Sequence, residues 1–170
     1  MKALVKLAKV NLQPGQLHLA RNPTNLQTIL GSCVGVTFWS ERFGAGALCH
    51  GVLPRCPQPW PFNATASEGH RYVDFSIREL IRRFDALGVR RQELQVKVFG
   101  GADVLPIQPA RISKPTVGGL NARVALEVLE EEGMIVLASD LGGIRGRRIQ
   151  FNTGTGEVFV HKLGAWSDPQ

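Results

Sequence analysis

The sequence predicts an α/β sandwich: a mainly antiparallel sheet covered by two helices, in a single domain over residues 1–170. Three observations predict it. Two stretches, Tyr72–Leu87 and Leu120–Glu132, carry apolar residues at helical spacing. Most other apolar residues alternate with small or polar ones, at the period of a strand. The opening third holds no helical pattern and the chain closes on a hairpin, an order that argues against a doubly wound parallel sheet. A chain of 170 residues, 44% hydrophobic and 20% charged, suits one folded domain and not a disordered segment.

The elements follow in order. Ala3–Val10 reads as a first strand and Gln16–Ala20 as a second, with Pro14-Gly15 turning between them. Arg21-Asn22-Pro23 is a loop. Val34, Val36 and Phe38 alternate with Cys33, Gly35, Thr37 and Trp39 as a third strand. Ser40–Gly44 is a polar break, and Ala45–Leu53 returns as the fourth, giving a hairpin. Pro54–Gly69 is proline-rich, holds Trp60 and Phe62, and folds over the hairpin's end, as a lid or as a plain surface excursion. In the first helix Val73, Ile77, Leu80, Ile81, Phe84 and Leu87 form one apolar stripe, and Gly88 stops it. Leu94–Phe99 alternates as a strand ended by Gly100-Gly101, and Ala102–Thr116 is irregular. The second helix aligns Leu120, Val124 and Val128. Its acidic end, Glu130–Glu132, opposes the helix dipole. Ile135–Ser139 is a strand, Arg147–Asn152 and Glu157–Leu163 form a closing hairpin around Thr153–Gly156, and Trp166–Gln170 is a tail.

The first hairpin carries the chemistry. With Trp39 facing Gly44, Cys33 faces His50, and directly opposed residues hold their Cβ atoms about 5 Å apart. The opposite face, with Val34, Val36, Phe38, Ala45, Ala47 and Cys49, suits a buried side. A one-residue slip would separate Cys33 from His50. A cysteine nucleophile needs its proton removed, and a histidine beside it can take it. Gly31 and Ser32 are small enough for a substrate carbonyl to approach, and backbone N–H groups near Cys33 could form an oxyanion hole. Gln27, Thr28 and Thr37 are the local candidates for orienting the histidine. This is the equipment of hydrolytic acyl transfer on an amide or ester.

Other features bound the reading. Cys33, Cys49 and Cys56 show neither a disulfide framework nor metal-ligand spacing, and no cofactor or metal is predicted. Cys49 falls on the buried face, and His18, His70 and His161 read as surface residues. Phe99-Gly100-Gly101-Ala102 completes no phosphate-binding loop. Gly142-Gly143 beside Arg145, Arg147 and Arg148 reads as tight turns next to a solvated basic strand, with an anion site as the less favoured alternative. The net charge of +6 allows a nucleic-acid partner, but no nucleic-acid-binding signature accompanies it, and a basic face for an acidic protein partner explains the charge equally well. No apolar run approaches the roughly 20 residues that span a bilayer, and Met1–Leu7 is too short an apolar run for a signal peptide, so a cytoplasmic location is expected.

Several motifs together resemble the CheD family of bacterial chemotaxis deamidases. They are Leu30-Gly31-Ser32-Cys33-Val34, then His50 with Leu53-Pro54, Lys97–Ala102, Val117-Gly118 with Asn121, Asp140–Arg147 and Phe151–Gly156, in the family's order. The resemblance implies an α/β sandwich and an enzyme that hydrolyses selected glutamines on the cytoplasmic helices of methyl-accepting chemoreceptors to glutamate and ammonia. It implies Cys33 as nucleophile and His50 as general base. The family's third residue is commonly a threonine six positions before the cysteine; Gln27 stands there, and Thr28 one position later is the residue assigned. A polar residue usual before Asn121 is replaced by Leu120. The resemblance also implies CheC, a phosphatase of the phosphorylated regulator CheY, as a partner. The rival reading is a largely non-catalytic subunit that binds CheC or receptors, and a third is a small-molecule amidase or cysteine protease. Arg78, Arg82, Arg145 and Arg147 are the expected basic face for acidic receptor helices.

Overall fold

A computed structural model describes residues 6–59, 65–105 and 114–164. The start of the expected first strand (Ala3–Val5), the loop aromatics Trp60 and Phe62, and the tail Trp166–Gln170 lie outside the described residues, as does part of the irregular stretch before the second helix.

Two sheets stack face to face, and two helices cover one of them. The five-stranded sheet has the order β2 (Leu17–Ala20), β5 (Ala45–Gly51), β4 (Val34–Ser40), β6 (Gln95–Gly100) and β7 (Val136–Leu141). The four-stranded sheet has the order β1 (Ala8–Asn11), β3 (Thr24–Leu30), β8 (Arg147–Asn152) and β9 (Val158–Lys162). Only β1 with β3 and β6 with β7 pair in parallel; the other strand pairs are antiparallel, as expected. The helices are α1 (Ala66–Gly69), inside the proline-rich loop, α2 (Val73–Ala86) and α3 (Val117–Glu131).

Alternation along β4 and β5 explains the layering. Val34, Val36, Phe38, Ala45, Ala47 and Cys49 point to the helices and join Ile77, Leu80, Ile81, Phe84, Val124, Ala125, Val128 and Leu129 in the larger core. Trp39 and Leu48 point the other way and pack against Leu26 and Phe151 of the four-stranded sheet. Both faces of the hairpin are therefore buried, whereas the sequence marked only one.

Three expectations change. The second sheet was not foreseen as a separate layer, because β3 was not read as a strand. Its inward residues are Thr24, Leu26, Thr28 and Leu30, and the two threonines weaken the apolar alternation. The hairpin register differs by two residues. Ser40 pairs with Ala45, Trp39 with Gly46 and Gly35 with His50, because Glu41–Gly44 forms a four-residue turn. Gly44 closes that turn at φ +56°, with its N–H donating to Glu41 O at 3.1 Å. A shift of two keeps every side chain on its expected face, so Cys33 and His50 still share one. Third, α3 begins at Val117, three residues before the expected start. Thr116 caps it by accepting from the Gly119 N–H at 3.0 Å, and Gly118-Gly119 hides the first turn from a propensity reading.

The acidic end of α3 is neutralised across the helix pair. Arg78 of α2 reaches Glu131 at 2.7 Å and Glu132 at 3.1 Å, and Arg91 reaches Glu132 at 2.9 Å. The expected basic face does not form from its four arginines. Arg78 is spent on these contacts, Arg82 pairs with Glu79, and Arg147 is 2% exposed. Arg145 is exposed, with its Nε donating to Leu163 O.

Candidate active site

The chain crosses from one sheet to the other through Gly31-Ser32-Cys33, between the end of β3 and the start of β4. Cys33 is half-buried there. His50 lies on β5, 2% exposed, opposite Gly35. Cys33 stands one residue before β4, two residues from Gly35, and packs beside Leu30, Phe99 and Ile149, on the side of the five-stranded sheet that also carries His50.

The bonds around His50 fix its state. The His50 Nδ1 lies 2.6 Å from Thr28 Oγ1, and Thr28 Oγ1 donates to Leu12 O at 2.9 Å. A threonine hydroxyl has one proton. With that proton given to Leu12, Thr28 accepts, so Nδ1 carries the imidazole hydrogen and Nε2 carries the lone pair. Nε2 is buried and has no hydrogen-bond partner among the described residues. The histidine backbone is held too: its N–H donates to Gln16 O and its C=O accepts from Gly15 N–H, each at 2.9 Å. Burial pushes the imidazole down to about 4 and raises the Cys33 thiol above its ordinary value, the latter partly offset by its own backbone N–H. Burial thus favours the neutral form of both groups. An uncharged thiol and an imidazole nitrogen with a free lone pair are the group types that a cysteine nucleophile and its base require.

The Gly31–Cys33 segment is tied at three consecutive carbonyls. Gly31 O accepts from Ala102 N–H at 3.0 Å and Cys33 O from Gly101 N–H at 2.9 Å. Ser32 O accepts from Asn121 Nδ2 at 3.0 Å, and the same nitrogen donates to Val52 O at 3.0 Å, just beyond the histidine strand. Gly100 and Gly101 sit at φ +105° and +64°, and a Cβ on Gly100 would lie 2.2 Å from Cys33 O. Arg147 braces this strap from beneath: its Nη1 donates to Gly100 O at 2.7 Å, its Nη2 to Gly142 O at 2.6 Å, and it pairs with Asp140 at 3.1 Å. Arg147 is thus a buried structural cation and not part of a solvated strand.

The family model described as CheD chemotactic sensory transduction matches residues 54–162. The chain is 43% identical over 158 residues to the Probable chemoreceptor glutamine deamidase CheD 2 of Geobacter sulfurreducens, covering 93% of this chain and 92% of that protein. It is 37% identical to the Probable chemoreceptor glutamine deamidase CheD of Maridesulfovibrio salexigens, over 92% and 93% of the two chains. The corresponding protein of Pseudomonas fluorescens is 36% identical, over 94% of this chain and 88% of its own.

The chain belongs to the CheD family.

Within this CheD-family fold, of the three sequence-derived candidates for orienting His50, only Thr28 hydrogen-bonds it. Gln27 points to the outer face of its sheet and lines a cleft of about 470 Å³ with Asn11, Gln13, Ile29 and Arg148. Thr37 is buried opposite Leu48 and makes no bond to His50 among the described residues. Cys49 faces the helices, its thiol pushed up to about 12 by full burial. Cys56 is buried as well, with its N–H on Asp74 Oδ1 at 2.8 Å. His161 is exposed; His18 and His70 are half-buried, which corrects the surface reading for those two. Among the described residues, no group of three or more His, Cys, Asp or Glu side chains is placed to hold a metal ion, and no helix is long and apolar enough to cross a membrane. Two supporting residues escaped a reading by chemistry: Asn121 and Arg147. Asn121 left a signal, since it shares the apolar stripe of Val124, Ala125 and Val128 and is 0% exposed. A polar residue on a buried stripe must spend its hydrogen bonds on something.

Proposed function

We propose that this CheD-family chain is a chemoreceptor glutamine deamidase in which Cys33 is the nucleophile, His50 its base and Thr28 the residue that sets the His50 tautomer. The Thr28–His50 bond carries the reading, because it leaves Nε2 unprotonated and directed to act as a base. The Cys33 Sγ attacks the glutamine side-chain carbonyl carbon while its proton passes to His50 Nε2. The carbonyl electron pair moves to oxygen. Collapse breaks the C–N bond, Nε2 returns the proton to the leaving nitrogen, and ammonia departs from a thioester. Water, deprotonated by Nε2, then attacks the thioester carbon; the C–S bond breaks and the thiol is restored. Each turnover adds one negative charge to a receptor helix and so shifts its packing equilibrium. The substrates are glutamines of cytoplasmic receptor helices, so the protein works in the cytoplasm, with CheC as a second partner. The relatives' names, chemoreceptor glutamine deamidase, support the receptor-glutamine substrate.

Purified cytoplasmic fragments of the cognate receptors, incubated with the protein, should release ammonia and gain one dalton per modified glutamine. Tight binding of receptor or CheC with no mass gain would favour the non-catalytic reading instead.

The proton arrangement makes a further prediction. With His50 neutral above about 4 and the thiol raised, kcat/KM should stay level from pH 5 to pH 8. Activity falling below pH 6.5, the ordinary imidazole range, would contradict the buried neutral histidine. Thr28→Val should lower kcat about 100-fold by freeing the tautomer, and Thr28→Ser, which keeps the hydroxyl, should restore most of it.

A further inference from the structure

The Gly31–Cys33 carbonyls are all occupied, and the consequence lies in the N–H groups they leave. In a trans peptide the C=O and N–H point in opposite directions. Holding Ser32 O against Asn121 therefore aims the Cys33 N–H away from α3, and holding Gly31 O against Ala102 aims the Ser32 N–H away from that strap. Neither N–H donates to an oxygen of another residue among the described residues. Two of the three ties are backbone bonds made by the glycine strap. The third, to the peptide that carries the cysteine's own N–H, is a single side chain. Asn121 is fully buried and spends the same Nδ2 on Val52 O, one residue past the end of β5. One nitrogen thus links the nucleophile segment to the strand that presents His50.

We infer that Asn121 is a positioning residue: it orients the Ser32–Cys33 peptide so that the Cys33 N–H faces the oxyanion of the tetrahedral intermediate, and holds that peptide in register with His50. The inference rests on the deamidase reading above. Asn121 touches no reacting atom. Its effect is confined to the step in which negative charge grows on the substrate oxygen.

The test uses Asn121→Ala and the near-isosteric Asn121→Leu, neither of which can donate to Ser32 O. In folded variants kcat for receptor deamidation should fall about 100-fold, the loss typical of a small misplacement at the reacting centre, with KM within about twofold. Alkylation of Cys33 by iodoacetamide, followed by peptide mass, should stay within about threefold of wild type. That reaction displaces iodide from a saturated carbon and develops no oxyanion, so it reads thiol access and nucleophilicity alone. Unchanged kcat in a folded variant would overturn the inference. So would alkylation falling in parallel with kcat, since the thiol itself would then be displaced. Failure of both variants to fold would make Asn121 a residue of the fold only. A wild-type protein that releases no ammonia would refute the deamidase reading and not Asn121 in particular.

Discussion

Cys33→Ala should release no measurable ammonia from receptor fragments while keeping the wild-type fold. In acyl transfer through a covalent intermediate, losing the nucleophile lowers kcat by about a millionfold, which puts the variant below detection. The fold should tolerate the change. Cys33 is half-buried at the rim of the small cluster of Leu30, Phe99 and Ile149, and its carbonyl tie to Gly101 belongs to the backbone. The melting temperature should stay within about 3 °C. Cys49→Ala is the matched control: it lies on the helix-facing side of the hairpin and should keep its activity with some loss of stability. A one-dalton gain persisting in Cys33→Ala would remove Cys33 from the chemistry.

Gly100→Ala should have the largest effect that no catalytic atom explains. An added Cβ would lie 2.2 Å from Cys33 O, and the backbone sits at φ +105°, where residues with a side chain are strained. The atom in the way is a main-chain oxygen already bonded to Gly101, so nothing flexible can move aside. Strain and overpacking together should cost roughly 3 kcal/mol, a fall in melting temperature of about 10 °C for a chain of this size. Activity should drop further than stability accounts for, because relief comes by moving Cys33. Thermal unfolding and kcat measured well below the melting temperature separate the two. A variant with wild-type melting and wild-type kcat would mean that the strap does not hold the nucleophile.

How far the sequence could be read depended on what each residue's pattern encodes. Period-two alternation survives an error in turn length, so Cys33 and His50 were placed on one face although the register was two residues off. The turn was misjudged because Ser40, polar in sequence, is buried and paired with Ala45. β3 was missed because a strand that supplies Thr24 and Thr28 to the interior does not look apolar. Thr28 was nevertheless assigned on a family resemblance, one position away from the family's usual threonine, and its bond to His50 is a tertiary contact that no local pattern announces. Arg147 looked solvated because burial of an arginine depends on carbonyls at Gly100 and Gly142, far from it or hidden in a turn. The stripe of α2 was plain because it buries one continuous face, whereas that of α3 was read through Leu120, which is half-buried, while Asn121, Val124, Ala125 and Val128 form the buried line.

The division of the site between two sheets bears on when the protein becomes competent during its own synthesis. Thr28 belongs to the four-stranded sheet, His50 to the five-stranded one, and Cys33 to the crossing between them. The strand that pairs with β3 along its length is β8, near the end of the chain, and β9 follows it. Pairings this distant in sequence form late, because the loop they close must first be emptied of its freedom. A nascent chain lacking β8 can build the helix-covered hairpin and present His50, but has only the short β1 to hold the Thr28 strand in place. Deamidation would then wait for β8, and a nascent chain still lacking that strand would leave receptor glutamines untouched.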